Sequence, residues 1–188
     1  MKSTMTSSPL SFHSSPAAGF DEPFEMLLAC HERVQRMLAL LLRLAEHLVA
    51  HGADEQARQA ARDVMRYFDQ AGPAHHEDEE RHVFPLLLAQ GDAGIAAVVH
   101  RLQRDHEAMT VQWQAVRADL AEIEAGRWPL AQAAGVLPRW QAYAALYAGH
   151  IEAEEGRAYP AARPLLPAPA LRSMGQEMAQ RRGVPPPR

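Results

Sequence analysis

Six histidine and glutamate residues recur in this sequence at spacings that suit metal binding. His75 and Glu79 lie four positions apart, and His150 and Glu154 repeat that spacing. In an α-helix, residues four apart share one face about one turn from each other, so each pair can bind a single site. Two upstream histidines complete the set, which is His31, His75, Glu79, His106, His150 and Glu154.

The two halves of the chain carry the same pattern. A shift of 75 positions superposes six pairs of residues: His31 and His106, Glu32 and Glu107, His75 and His150, Glu79 and Glu154, Glu80 and Glu155, and Pro85 and Pro160. A single helical His or Glu is most often an exposed residue. The repeat, the spacing and the order together indicate a shared metal site instead.

Helices are the elements that must position these residues. Abundant Ala, Leu, Arg, Gln and Glu favour helix over strand, so the sequence predicts an all-α fold. Apolar periodicity, prolines and glycines predict four helices. The first runs from Phe20 to Gly52, with Asp21 as N-cap and Pro23 in the first turn, and the second runs from Asp54 to Leu88 and is kinked or interrupted at Gly72-Pro73. The third runs from Ile95 to Gly126, and the fourth is irregular around Gly135 and Pro138 and ends near Ala162.

The turns decide whether the two halves can meet. The midpoints between successive candidate ligands fall at position 53, between 92 and 93, and at 128, each beside or within a glycine-containing turn. A chain that runs roughly 20 residues along one helix and 20 residues back along the next returns to the same height, because each helical residue rises by about 1.5 Å. We therefore expect an up-down-up-down four-helix bundle with all six residues in one layer, where bundles hold di-metal sites.

Three segments are expected. Residues 1–19, rich in Ser and Pro, are predicted to be a flexible N-terminal tail, and 20–164 the bundle. Residues 165–188 are predicted to be a C-terminal extension with a short helix, 168–181, that packs on the outside or frays.

Composition narrows the classes of function. A net charge of −4 on 188 residues, with the basic residues dispersed, predicts neither a nucleic-acid nor a membrane partner. No apolar run approaches the roughly 20 residues that span a bilayer. The single Cys30 excludes an internal disulfide and a metal site built on several thiolates. With no signal-like segment, we expect a cytoplasmic protein.

These motifs resemble those of the hemerythrin HHE cation-binding family, over about Phe20 to Pro164. The resemblance rests on Ala-Cys-His-Glu-Arg around His31, His-His-Glu-Asp-Glu-Glu-Arg-His-Val-Phe-Pro from His75, Asp-His ending at His106, and His-Ile-Glu-Ala-Glu-Glu from His150. It implies two non-haem iron ions joined by an oxo or hydroxo bridge, terminal imidazoles, and bridging Glu79 and Glu154. The donor set favours iron, with manganese or zinc as substitutes.

The chain departs from two branches of that family. Oxygen-carrying hemerythrins have a further histidine one turn after the third-helix ligand, where this chain has Thr110. The symmetric four-histidine set argues against simple reversible oxygen carriage. Iron-sulfur repair members often carry an N-terminal segment with paired cysteines, and this chain has none.

Several neighbouring residues leave alternatives open. His76 lies about 100° around the helix from His75, so it is expected to face a neighbouring helix or solvent rather than a metal. Glu79 and His82 form a ferritin-like Glu-x-x-His pair, which the second half lacks because it has Arg157.

The glutamates next to the candidate ligands leave further alternatives. Glu80 and Glu155 could replace Glu79 and Glu154 as the bridging pair if the helix register differs, and Glu32 and Glu107 are candidate hydrogen-bond partners of the ligand histidines. His47 and His51 are predicted to lie on the surface, and Cys30 is predicted to be buried as a small hydrophobic residue.

Two functions follow from the site. In the first, the di-iron pair binds or senses oxygen, nitric oxide or iron, so the partner is a small diatomic molecule or peroxide. In the second, the protein is a di-iron enzyme, namely a peroxidase, a nitric oxide reductase or an iron donor for iron-sulfur repair. A third alternative, a metal that only stabilises the fold, remains. Spacing alone decides neither enzymatic activity nor oligomeric state.

Overall fold

A computed structural model describes residues 19–129 and 133–185, and within these ranges the chain is helical with no strand. The elements are α1 (Pro23–His51), α2 (Glu55–His82), α3 (Phe84–Ala89), α4 (Ala93–Glu124), α5 (Ala133–Ala153), a π-helical turn (Glu154–Ala158), α6 (Tyr159–Ala162), a 3-10 turn (Arg163–Leu165) and α7 (Ala168–Arg181). The all-α prediction is confirmed. The predicted flexible tail, apart from Gly19, lies outside the described residues.

Four long helices surround the core. α1 packs against α2 and α5, and α4 packs against the same two helices. Two apolar clusters lie between them. The upper cluster includes Leu41, Phe68, Leu120 and Trp140, and the lower cluster includes Phe24, Leu27, Val83, Phe84, Leu102 and Tyr159. Along α1 and α4 the chain passes residues of the lower cluster before those of the upper cluster. Along α2 and α5 it passes residues of the upper cluster first.

The turn between α1 and α2 follows the expected chemistry. Gly52 has φ +68° and its N–H donates to the carbonyl of Leu48, so α1 ends at the predicted glycine. Asp54 then caps α2 by accepting a 2.8 Å hydrogen bond from the N–H of Ala57. The start of α1 differs from the prediction, because Glu22 and not Asp21 precedes the helix, and no side chain caps it.

Of the kink or interruption predicted at Gly72-Pro73, the interruption is wrong, because α2 continues through Pro73 to His82. Proline removes one backbone hydrogen bond, and the packing of α2 against both α1 and α4 outweighs that loss. The break comes later, at Val83, just before Phe84-Pro85. The repeated Tyr159-Pro160 follows the π-helical turn in the second half, so the two prolines mark equivalent changes of helix.

The C-terminal helix α7 packs on the bundle. Met174, Gly175, Met178 and Ala179 are buried, and the two methionines join the lower cluster. At Gly175 the helix comes so close to the chain that a Cβ atom would lie 1.8 Å from the carbonyl oxygen of Phe20. Only glycine permits this contact between α7 and the segment that leads into α1.

None of the helices in the described ranges has an apolar stretch long enough to cross a bilayer.

Candidate metal centre

The six residues singled out by the repeat lie together in the bundle. Each is at most 7% exposed. α1 carries His31, α2 carries His75 and Glu79, α4 carries His106, and α5 with its π-helical turn carries His150 and Glu154. On each helix they fall between residues of the lower and upper apolar clusters. The structure therefore places all six in one buried polar layer.

The layer divides into two groups that share their carboxylates. His31 and His75 form one group with Glu79 and Glu154, and His106 and His150 form the other with the same two glutamates. Within each group, one donor atom from every residue lies within 4.8 Å of the others. Carboxylates shared between two imidazole pairs are one arrangement that helix bundles use to hold adjacent metal ions.

The imidazole nitrogens converge at distances that suit a common ion. Nε2 of His31 lies 3.1 Å from Nε2 of His75, and the Nε2 atoms of His106 and His150 are also 3.1 Å apart. Two nitrogens bound at a right angle, each about 2.1 Å from one ion, would lie about 3 Å apart. Each pair is thus spaced like two neighbouring ligands of one metal.

Each carboxylate reaches both pairs. The oxygens of Glu154 lie 3.1 Å from Nε2 of His31 and 2.7 Å from Nε2 of His150. Those of Glu79 lie 3.6 Å from Nε2 of His75 and 3.4 Å from Nε2 of His106. Both glutamates therefore lie between the two imidazole pairs, as the resemblance implied for bridging residues.

Several buried polar atoms in this layer lie near other site residues but form no hydrogen bond of good geometry among the described residues. They are Oε2 of Glu79, both carboxylate oxygens of Glu154, and Nδ1 of His75 and His150. A buried charge without a partner is costly. A bound cation would satisfy the carboxylate oxygens, so the donor set fits a metal.

The buried histidines and carboxylates of this layer shift one another's pKa values. Burial lowers the pKa of His31, but its contacts with Glu154 and Glu155 outweigh burial and raise the pKa above its ordinary value. Burial would raise the pKa of Glu154, but His150 and His31 lower it to about 2. Burial dominates at His75 and lowers its pKa to about 3.

Glu80 and Glu155 orient the histidines. Nδ1 of His31 lies 2.8 Å from Oε1 of Glu155, and Nδ1 of His106 lies 3.0 Å from Oε1 of Glu80. When Nδ1–H donates to a carboxylate, Nε2 is left as the metal-binding atom. Each glutamate thus supports a histidine from the other half of the repeat. The alternative register, with these two residues as bridges, does not match the structure.

The expected support from Glu32 and Glu107 is absent. Glu32 is exposed and lies 3.8 Å from Arg36, and Glu107 is exposed on α4. Each follows a site histidine directly, so it lies about 100° around the helix and faces away from the layer. Asp105, which the sequence analysis noted only as part of the Asp-His motif, instead lies 3.5 Å from Nδ1 of His150.

Comparison with known proteins agrees with this geometry. The family model of the hemerythrin HHE cation binding domain matches residues 22–162. The chain belongs to the hemerythrin HHE family. It is also 33% identical over 106 residues to an uncharacterised protein of Haemophilus influenzae. That match covers 56% of this chain and 61% of the relative, so the chain spans less than two thirds of the relative's length.

Tyr159 is a residue of this hemerythrin-family site that sequence reasoning missed. Its hydroxyl donates to Oε1 of Glu79 at 2.5 Å and lies 3.3 Å from Nε2 of His31. The ring stacks on His31 with centroids 5.6 Å apart. In the other half, Phe84 stacks on His106 at the same 5.6 Å but brings no hydroxyl. The aromatic residue before each repeated proline, Phe84 and Tyr159, is the sequence signal that could have located this position.

His76 is closer to the site than predicted. Its ring stacks on His106 with centroids 3.9 Å apart, and a nitrogen of His76 lies within 4.8 Å of donor nitrogens of His106 and His150. Burial, and then His106, lower its pKa well below the ordinary value. His76 also lines a cavity of about 700 Å³ together with Phe68, Met109, Trp113, Tyr143 and Tyr147. The ring thus faces the neighbouring helix α4 and the cavity, as expected, but it lies closer to the candidate ligands than the sequence indicated.

The remaining candidates lie outside the layer. His82 contacts Glu177 on α7 at 2.7 Å, so the ferritin-like pairing of Glu79 with His82 is wrong. His47 lies near the end of α1 and contacts Asp54 at 3.0 Å. Cys30 is buried, and burial raises the pKa of its thiol, which agrees with a small hydrophobic role.

Proposed function

We propose that this hemerythrin-family protein holds two iron ions and binds a small molecule such as oxygen or nitric oxide at them. One observation carries the proposal: two buried groups of donors share Glu79 and Glu154. A single metal would leave one imidazole pair without a role. Two ions give every buried donor a partner.

We assign the ligands from the same contacts. His31 and His75 would bind one ion, His106 and His150 the other, and Glu79 and Glu154 would bridge them. Two imidazoles and two shared carboxylates do not fill six positions, so room for a further ligand remains. Iron, when bound, supplies redox chemistry and affinity for small molecules. Manganese or zinc could occupy the same donors.

The course of the helices supports a common layer. The apolar clusters are met in opposite order along successive long helices, which is expected of an up-down-up-down bundle. If α1 and α4 run one way and α2 and α5 the other, ligands that lie between the two clusters on successive helices meet at one height. A cytoplasmic location belongs to the same proposal, since one buried thiol suits a reducing compartment.

A second function, a di-iron enzyme, is favoured by the cavity beside the site. Its volume of about 700 Å³ far exceeds the needs of a diatomic molecule and falls in the range of small-molecule pockets. His76 and His106 lie on its wall, so a small organic reductant could approach the metals there. Reduction of peroxide by such a reductant is one reaction that this access would allow.

The test is metal content and visible absorption of the protein purified from iron-supplied cells. Parent protein is compared with Glu154→Gln and with Glu152→Gln, a control on α5 whose side chain is exposed. We expect about two irons per chain in the parent and the control. Glu154→Gln should lose at least one iron. Parent protein without iron, or a Glu154→Gln variant that keeps both ions, would overturn the proposal.

The two functions predict different behaviour of the reduced protein. A binding or sensing protein should take up nitric oxide or oxygen in proportion to its iron and return slowly to its starting spectrum. An enzyme should consume excess peroxide over many cycles when an organic reductant is present. Steady consumption that disappears in Glu154→Gln would favour the enzyme, and its absence would favour binding.

A further inference from the structure

The C-terminal helix α7 contacts α2 on the stretch that carries two of the candidate ligands. Glu177, Arg181 and Arg182, near the end of α7, reach five residues of α2, which are Ala74, Glu77, Asp78, Arg81 and His82. His75 and Glu79 directly follow two of these five residues in the chain. One side of α2 therefore carries the ligands, while α7 holds an adjacent side.

Two arginines bind one turn of α2 at both of its ends. Arg182 donates to the two carboxylate oxygens of Asp78 at 3.0 and 2.6 Å, and to the carbonyl oxygen of Ala74 at 3.1 Å. Arg181 donates to the same carboxylate at 2.5 Å and to the same carbonyl at 3.3 Å. Asp78 is completely buried, so these charge-assisted hydrogen bonds satisfy its carboxylate inside the protein. The arginines thus fix the turn in which His75 lies.

The two halves of the repeat support this turn differently. Gly149 and Ala153 occupy the positions in the second half that match Ala74 and Asp78. Arg101 of α4 donates to the carbonyl oxygen of Gly149 at 3.2 Å, so one of the four long helices holds the turn there. On α2 the matching carbonyl receives its arginines from α7, which is not one of the four long helices. The α2 side of the metal layer therefore depends on a helix that carries none of the six candidate ligands.

Undocking of α7 would leave Asp78 without these partners. A buried carboxylate without a partner is strongly unfavourable, so the end of α2 would have to loosen or rotate to bring it to water. Glu79 is the next residue, and it belongs to both groups of candidate donors. A displacement of this turn would therefore disturb both metal positions.

We propose that α7 positions the α2 side of the metal layer, with Arg181 and Arg182 as positioning residues, and that its docking is coupled to iron binding. This inference rests on the proposed di-iron function. With α7 docked, His75 and Glu79 are held in place before a metal arrives, so less order has to be gained on binding. The coupling is reciprocal: bound iron strengthens the docking of α7 by the factor by which docking raises the iron affinity.

The iron(II) affinity of the metal-free protein measures the first direction of this coupling. Two changes loosen α7 in different ways. The double variant Arg181→Gln/Arg182→Gln removes the contacts with α2, whereas Gly175→Ala pushes α7 away from Phe20 without changing any charge. We expect each to lower the iron affinity at least about fivefold. Circular dichroism checks that the variants are helical, and Gly175→Ala decides if the double variant does not fold.

Two controls separate this effect from a change of charge and from a general loss of stability. Arg36→Gln/Arg127→Gln removes two positive charges from exposed contacts elsewhere. Val116→Ala shortens a buried side chain of the upper apolar cluster, to which α7 contributes none of its described residues. Both controls should keep the parental iron affinity, even if urea unfolding shows that Val116→Ala is as destabilised as Gly175→Ala.

Hydrogen exchange of α7 in the parent protein measures the opposite direction. Amides of α7 that exchange at the parental rate in Val116→Ala report the opening of α7 alone rather than global unfolding. Iron(II) should slow the exchange of these amides by about the factor by which loosening α7 lowers the iron affinity.

The possible failures are distinct. A parent that binds no iron overturns the di-iron function and the coupling with it. A parent with two irons, together with α7 variants whose iron affinity matches that of the controls, overturns only the role of α7. Equal losses of affinity in Val116→Ala and Gly175→Ala would also contradict that role, because the loss would then follow stability rather than docking.

Discussion

The hydroxyl of Tyr159 donates a 2.5 Å hydrogen bond to Oε1 of Glu79, joining the start of α6 to the middle of the site. Both residues are almost completely buried. Burial raises the pKa of Tyr159 well above its ordinary value, so this phenol remains a hydrogen-bond donor at neutral pH. Glu79 thus has a fixed neighbour on the His31 side of the cluster.

Replacing Tyr159 by Phe should destabilise the metal-free protein by about 1.5–3 kcal/mol, because the bond is to a charged group. Phe84, at the equivalent position of the repeat, shows that the ring itself fits. Tyr67→Phe is the control, since it removes a hydrogen bond to the neutral carbonyl of Cys30. Urea unfolding should give the smaller loss for the control. Equal losses would contradict the assignment of a charged partner.

Arg181 and Arg182 hold α7 to the bundle through Asp78. Asp78 is completely buried, and Arg181 and Arg182 approach it at 2.5 and 2.6 Å. Replacing both arginines by Ala leaves a buried charge without partners, which costs about 3–5 kcal/mol of unfolding free energy. Arg127→Ala breaks only an exposed contact with Glu122 and should leave the urea midpoint unchanged. A double variant as stable as that control would contradict this account.

Lowering the pH should weaken the packing of α7 on the bundle by protonating Glu177. Arg181, and then His82, lower the pKa of Glu177 to about 2 from an ordinary value of 4.5. The stability that Glu177 contributes is therefore present above about pH 4.5 and is lost as the pH falls through about 2. Hydrogen exchange of α7 should differ between parent and Glu177→Gln at pH 6, and the difference should shrink across that window. An undiminished difference near pH 2 would reject the assignment.

Adding one methyl group at Gly175 should destabilise the packing of α7 on the bundle. A Cβ atom there would overlap the carbonyl oxygen of Phe20, so Gly175→Ala should cost about 1–3 kcal/mol as α7 is pushed outward. Gly135 is the matched control in α5, because a Cβ there meets nothing within 4 Å. Gly135→Ala should be neutral or slightly stabilising. Thermal unfolding that ranks the two variants the other way would show that α7 is not docked as described.

Local sequence signals explain most of the predicted fold. Gly52 ends α1 as predicted because glycine adopts positive φ without strain, and Asp54 caps α2 through its own side chain. The interruption predicted at Pro73 was wrong because it considered only the missing hydrogen bond. The packing of α2 against two helices cannot be deduced from a local pattern, and it kept the helix intact.

By itself, the sequence determined which residues could meet. The repeat, the four-residue spacing and the glycine turns are properties of helix geometry, so they brought His31, His75, Glu79, His106, His150 and Glu154 into one layer. The tertiary structure alone decided the neighbours of that layer. Glu80 and Glu155 support histidines of the opposite half, His76 lies against His106, and Tyr159 reaches Glu79. These partners come from different helices, whose rotation about their axes is set by packing of the whole core rather than by spacing along one helix.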